Sequence, residues 1–288
     1  MSLKRRLGFS DTRSFILTSI FAGILFLFST LQLPYIDIDR VFCAEIPWAV
    51  PGECYLFKRP GLMRDSLFVH LITFLPAGTL VCLQFVPILQ LPKYARLHRV
   101  NGYLVLSLSA IGIATALVLS EEAMGGPVSN RFGTLILATT ISTALVKAMI
   151  AIKSGKIQEH RAWMLRGWFY ITSIITMRII LISLAHIIGT PSRAMTLSMP
   201  CAVIEYLHQS FPNASQTVYP SCEAYFSGEN LAQKALVTTN WDLNDLPGLA
   251  AALRIGYSIG GWVAFAIHSA GIEIYIRKTS PQYKSKAL

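Results

Sequence analysis

Gln158-Glu159-His160-Arg161-Ala162-Trp163-Met164-Leu165-Arg166 leads without a break into an apolar run, 167–188, whose only charged or imidazole members are Arg178 and His186. A bilayer is crossed by about 20 mostly apolar residues in helical form, so this stretch reads as a charged mouth opening onto a membrane span. Working outward, five more runs have the same character: 14–34, 67–91, 101–120, 132–153 and 248–276. The composition agrees, with 53% hydrophobic and only 14% charged residues, where soluble domains carry roughly 25% charged. Only helices and closed barrels satisfy their backbone in lipid. The expected fold class is therefore all-α: one membrane bundle of about six helices over residues 1–288, with a long loop at 189–247.

The net charge of +10 invites a nucleic-acid reading, but its distribution speaks for topology. With the N-terminus in the cytosol, segments 1–13, 92–100, 147–166 and 277–288 carry 16 of the 25 Lys and Arg. The opposite loops, 35–66, 121–131 and 189–247, carry seven, together with 12 of the 15 acids. Basic residues concentrate on the cytosolic side of membrane proteins, which predicts both termini there and makes the lipid bilayer, not a polynucleotide, the partner. Lys4, Arg5, Arg6 and Arg13 precede the first run. That run is long and no small-x-small site follows it, so it reads as a retained signal anchor.

Cys43 and Cys54 share the first outer loop, and Cys201 and Cys222 share the third, while Cys82 lies inside a helix. Even pairs on an oxidising side read as two disulfides, Cys43–Cys54 and Cys201–Cys222, with four free thiols as the alternative. Asn213-Ala214-Ser215 is a glycosylation sequon on that same side. Together these point to a secretory-pathway membrane such as the endoplasmic reticulum. The length of loop 189–247 predicts a folded lid or substrate cover.

Ionisable groups inside hydrocarbon cost several kcal/mol unless paired or hydrated. Arg178, Arg254, His70, His186 and His268 are thus expected to face a polar interior or to pair with outer acids such as Glu121, Glu122 or Asp245. Two chemical readings of that interior follow, beside a third in which the chain is a non-catalytic membrane accessory protein. In the first, the chain is a tailoring enzyme for a lipophilic small molecule, opening an epoxide, cyclising or isomerising it. His98, His160 and Glu159 are then the proton-transfer candidates, with Arg99, Arg161, Arg166 and Arg178 as electrostatic partners and no cofactor needed. Headgroup contact is the plainer account of this basic mouth. In the second reading His70 and His186 at an outer level, and His98, His160 and His268 at an inner level, ligate b-type haem, as facing histidines do in a bundle. The ascorbate-reducible cytochromes b place a ligand on each of four central helices, and helix four here has no histidine. No Walker loop, dinucleotide-binding glycine fingerprint, HExxH zinc motif or Gly-x-Ser-x-Gly elbow is present. Without an internal repeat, nothing points to alternating-access transport.

His98-Arg99-Val100-Asn101-Gly102 and, sixty residues on, His160-Arg161-Ala162-Trp163-Met164-Leu165-Arg166 have the form HRxxG followed by HRxWMxR. This pattern resembles an uncharacterised family of predicted membrane proteins of bacteria and filamentous fungi. The likeness covers roughly residues 67–190. It implies a multi-pass membrane protein, associated in some fungi with natural-product clusters. The lipophilic substrate expected for the enzyme reading is a polyketide or terpenoid. It carries over no catalytic residue, and the cysteine-paired outer loop looks like a fungal addition.

Overall fold

The computed structural model describes Leu7 and residues 12–44, 49–210 and 220–279. Asn213 falls outside them. In chain order the main elements are α1 (Thr12–Leu31), α2 (Leu62–Gln84), α3 (Ala95–Leu119), α4 (Val128–Lys153), α5 (Ile157–Ile171), α6 (Ser173–Ile188), β1 (Thr196–Pro200), α7 (Cys201–Ser210), β2 (Lys234–Thr238) and α8 (Leu246–Thr279). Six spans are long and apolar enough to cross a membrane, α5 and α6 together making the fifth, Ile157–Ile188. Large apolar side chains such as Ile20, Leu27, Leu104, Val146, Ile179 and Ile267 point outward, the inverse of a soluble core and the pattern lipid requires. The chain is an all-α, integral, multi-pass membrane protein.

Several boundaries differ from the sequence reading. The second span is Leu62–Gln84 and not 67–91, because the chain leaves α2 at Phe85 and makes short 3-10 turns over Pro87–Gln90 and Pro92–Tyr94. His98 and Arg99, outside the expected run 101–120, lie in the first coils of α3, which starts at Ala95. The stretch Gln158–Arg166 is likewise helical, as the opening of α5.

The chain divides into two compact units, Met1–Ala44 with Pro60–Leu119, and Glu45–Arg59 with Ser120–Leu288. In the first, α1, α2 and α3 pack through small residues, as helices do where lipid offers no hydrophobic drive. Gly78 of α2 lies against Ser29 and Leu25 of α1, and Gly112 of α3 receives the ring of Phe74. Polar side chains close the α2–α3 hairpin: Asn101 Nδ2 donates to the Leu80 carbonyl at 3.1 Å, and Gln84 Nε2 to the His98 carbonyl at 3.1 Å. Arg64 grips Asp39 through two nitrogens, at 2.9 and 2.6 Å.

In the second unit α4 packs on α5, and α8 on α6. Gly256 and Gly260 of α8 approach the backbone of α6 at Leu181 and Met177 closely enough that a side chain would collide or crowd. One end carries a folded lid. Strands β1 and β2 pair antiparallel, Thr196 opposite Thr238 through Pro200 opposite Lys234. Ala235 and Val237 are buried beneath them while Leu236 points out. Cys201 and Cys222 form a disulfide; Cys43 and Cys54 are both disulfide-bonded as well. Tyr225 donates to the Glu205 carboxylate at 2.6 Å, which holds its phenol up to about 12. Thr239 Oγ1 donates to the Ile188 carbonyl at the end of α6, at 2.6 Å, so the lid is stitched to the helix it follows.

Under the lid lies a buried ion pair. Arg254 Nη2 meets Glu53 Oε1 at 2.9 Å, with side-chain exposures of 3% and 5%. The second carboxylate oxygen accepts from the Met124 amide at 2.7 Å. That amide is presented by a left-handed turn, Met124 at φ 57°, Gly125 at 82° and Gly126 at 56°, conformations that favour glycine. Gly52 and Gly125 leave the room that Arg254 occupies. Burial pushes the Glu53 carboxyl above the usual range, opposed by the Arg254 charge and the Met124 amide. Two of the three acids named as partners are committed elsewhere: Glu121 pairs with Arg131 at 2.9 Å, and Asp245 accepts from Asn240 and from the Gly248 amide at the start of α8. The signal for Glu53 was weak because it lies two hundred residues away, in a loop read only for its cysteines.

Removing one member of a buried pair strands the other charge at a cost of about 3–5 kcal/mol, whereas an apolar pair of similar volume can be neutral. Glu53→Ala should therefore lower the thermal midpoint in detergent, and Glu53→Leu with Arg254→Met should recover most of the loss. An unchanged midpoint for Glu53→Ala would remove the pair from the list of stabilising contacts.

Candidate functional site

The fifth span is broken at Thr172, with no proline present. At the break Thr172 Oγ1 donates back to the Phe169 carbonyl at 2.9 Å, a contact that competes with the helical ladder. The same carbonyl lies 2.6 Å from His268 Nδ1, on α8. A carbonyl only accepts, so Nδ1 carries a proton, and in the neutral ring Nε2 is left as an acceptor. Nε2 lies 2.8 Å from Thr176 Oγ1, one turn beyond the break, and the hydroxyl therefore donates to it. The ring of Phe169 leans on the imidazole, centroids 4.8 Å apart. The result is a hydroxyl, a neutral imidazole that can take its proton, and a carbonyl that holds the imidazole in place. This is the geometry of base-assisted proton transfer.

Towards the opening of α5 the polar groups continue. Arg166 meets Glu273 of α8 through Nε at 2.6 Å and Nη2 at 3.0 Å, a two-point contact that fixes both side chains. Tyr170 lies within electrostatic reach of both. Trp163 has Arg166 over its ring at 4.5 Å and Lys147 of α4 at 4.5 Å. His160 donates Nδ1–H to the Ala148 carbonyl at 2.9 Å, pinning the start of α5 to α4.

The expected residues distribute as follows. His160, Arg166 and Arg178 share the second unit, with Arg178 exposed on α6 and within electrostatic reach of Tyr257. Glu159 and Arg161 are exposed on the first turns of α5, and Glu159 pairs with Lys156 at 3.3 Å. His98 and Arg99 belong to the first unit; Arg99 Nε bonds the Ala95 carbonyl at 3.2 Å. The haem grouping is changed. His268, which the sequence groups with His160 at the inner level, meets Phe169 and Thr176, nine residues or more along the span from His160, or about 14 Å at 1.5 Å per residue. Its Nε2 is also occupied by Thr176. His70 Nδ1 bonds the Gly112 carbonyl at 3.0 Å, and His186 is exposed with its ring edge-on to Trp241, centroids 5.3 Å apart. Among the described residues no group of three or more His, Cys, Asp or Glu could hold a metal ion. Thr176 escaped the sequence reading, since one threonine in an apolar helix carries no signal until its partner is known. Glu273 offered one: it is an acid five residues from His268 in an otherwise apolar stretch.

Histidine-selective nitrogen NMR should show the Nδ1–H tautomer for His70, His160 and His268. Thr176→Val should shift the Nε2 resonance of His268 alone and cost about 1 kcal/mol, the net worth of one hydrogen bond. An Nε2–H tautomer at His268 would contradict the arrangement.

The model of a family described as "Predicted membrane protein (DUF2306)" matches residues 67–207, a stretch that contains both His-Arg elements. No curated protein and no solved structure matches the chain. Over that stretch this integral membrane protein is similar to an uncharacterised membrane protein family, one that brings with it no assigned reaction.

Proposed function

We propose that the chain is a membrane-embedded tailoring enzyme that acts by proton transfer on a lipophilic metabolite of polyketide or terpenoid type. Epoxide opening, cyclisation or isomerisation is the reaction class, and a secretory-pathway membrane such as the endoplasmic reticulum, with both termini cytosolic, is the setting. The observation that carries the reading is the imidazole of His268 held between the Phe169 carbonyl and the Thr176 hydroxyl. A neutral imidazole at this depth accepts a proton through Nε2, directly or by way of the Thr176 hydroxyl, and returns it after bonds rearrange. The surrounding hydrocarbon excludes bulk water and strengthens every fixed charge. Arg166, set by Glu273, gives this end of the seam a positioned positive group for a developing oxyanion. His160 adds a second imidazole nearer the opening of α5, with Nδ1 committed to Ala148. His98 and Arg99 belong to the first unit.

The test is turnover in proteoliposomes of the full-length protein, offered a panel of epoxide- and enone-bearing polyketides and terpenoids, with products followed by liquid chromatography and mass spectrometry. His268→Gln should lower the rate by about 10²–10⁴, the usual contribution of a positioned acid–base group. His160→Ala should lower it as well. Undiminished turnover in His268→Gln would end the proposal.

A further inference from the structure

Lys147 stands within the fourth span, six residues before the last residue of α4, Lys153; at 1.5 Å per residue that is about 9 Å inside the helix end. Its ammonium lies 4.5 Å from the centre of the Trp163 ring. Among the described residues it has no carboxylate partner. Arg166, the other cation on that ring, is neutralised by Glu273. The acid nearest in sequence, Glu159, is paired with Lys156. Arg161, two residues before Trp163, and Lys153 are exposed on the same end of the unit. Lys147 is itself exposed, so one ammonium stands on the surface of the α4–α5 pair with no acid to answer it and with a ring face on one side.

We propose that Lys147 and Trp163 seat the anionic head, a phosphate or carboxylate, of an amphiphile whose apolar chain runs along α5 towards His268. Trp163 and Phe169 are six residues apart on one helix, or about 9 Å, so a head held at Trp163 presents the middle of a chain, not its end, to the imidazole. The chain's course rests on the reading of His268 as the proton-transfer group. The seat itself rests on the unpaired ammonium and the ring. Two sources share this chemistry, a phospholipid of the bilayer and a single-chain substrate.

The experiment uses the full-length protein in neutral detergent, titrated with dodecyl phosphate and with dodecanol, binding being followed by native mass spectrometry. Dodecyl phosphate should bind and dodecanol should not. Lys147→Gln should weaken binding about tenfold, as expected for loss of one charged contact, and Lys147→Arg should retain it, which separates a lost charge from a lost fold. Equal binding of the two probes, or full binding by a monodisperse Lys147→Gln, overturns the seat. Dioleoyl phosphatidic acid added in excess distinguishes the sources: displacement of dodecyl phosphate assigns the seat to membrane lipid, and its retention assigns it to a single-chain ligand. His268→Gln should leave binding intact. Absent binding with intact wild-type turnover therefore fells the seat alone, whereas intact binding with undiminished His268→Gln turnover fells the enzyme reading alone.

Discussion

A polar atom placed within a bilayer cannot borrow a partner from solvent, so each one has to be met from inside the protein. That constraint explains why the histidines here reach for backbone. His70, His160 and His268 each present Nδ1 to a carbonyl of a different helix, at Gly112, Ala148 and Phe169. Each contact fixes a tautomer and ties two helices together. Only at Phe169 does it coincide with a break in the helix, where Thr172 draws on the same oxygen. The imidazole opposite that break is therefore the one whose second nitrogen meets another side chain.

The two His-Arg elements take on a plainer role under the same constraint. In the first, Asn101 and the carbonyl of His98 bind the end of α2 to the beginning of α3. In the second, His160 binds the beginning of α5 to the end of α4, and Arg166 binds it to α8. Both elements open a helix that doubles back on its predecessor. Their charge at a membrane mouth suggests chemistry, yet much of their polar capacity is spent on closing hairpins.

The spans were legible because apolar length is a property of consecutive residues, and 53% hydrophobic content leaves few alternatives. Helix starts were less so: Ala95 and Ile157 begin helices inside stretches whose charges resemble turns. The partners of buried charges were not legible. Glu53 reaches Arg254, and Glu273 reaches Arg166, only once tertiary packing brings together segments that share no local pattern. Residue types marked where compensation was needed inside the membrane, as at Arg254 and His268, without saying what would supply it. Lys147 shows the converse, a charge whose compensation the described residues do not supply.

The loop Glu45–Arg59 is grouped with helices that follow it much later in the chain, interrupted by the whole α2–α3 hairpin. Glu53 and Arg254 are 201 residues apart. During synthesis the carboxylate is made early and waits while four further spans are threaded into the membrane. Only α8 carries the guanidinium that answers it. The second unit therefore cannot ripen span by span. Its closure waits for α8, and without that helix the Glu53 carboxylate is left with no Arg254 guanidinium to answer it.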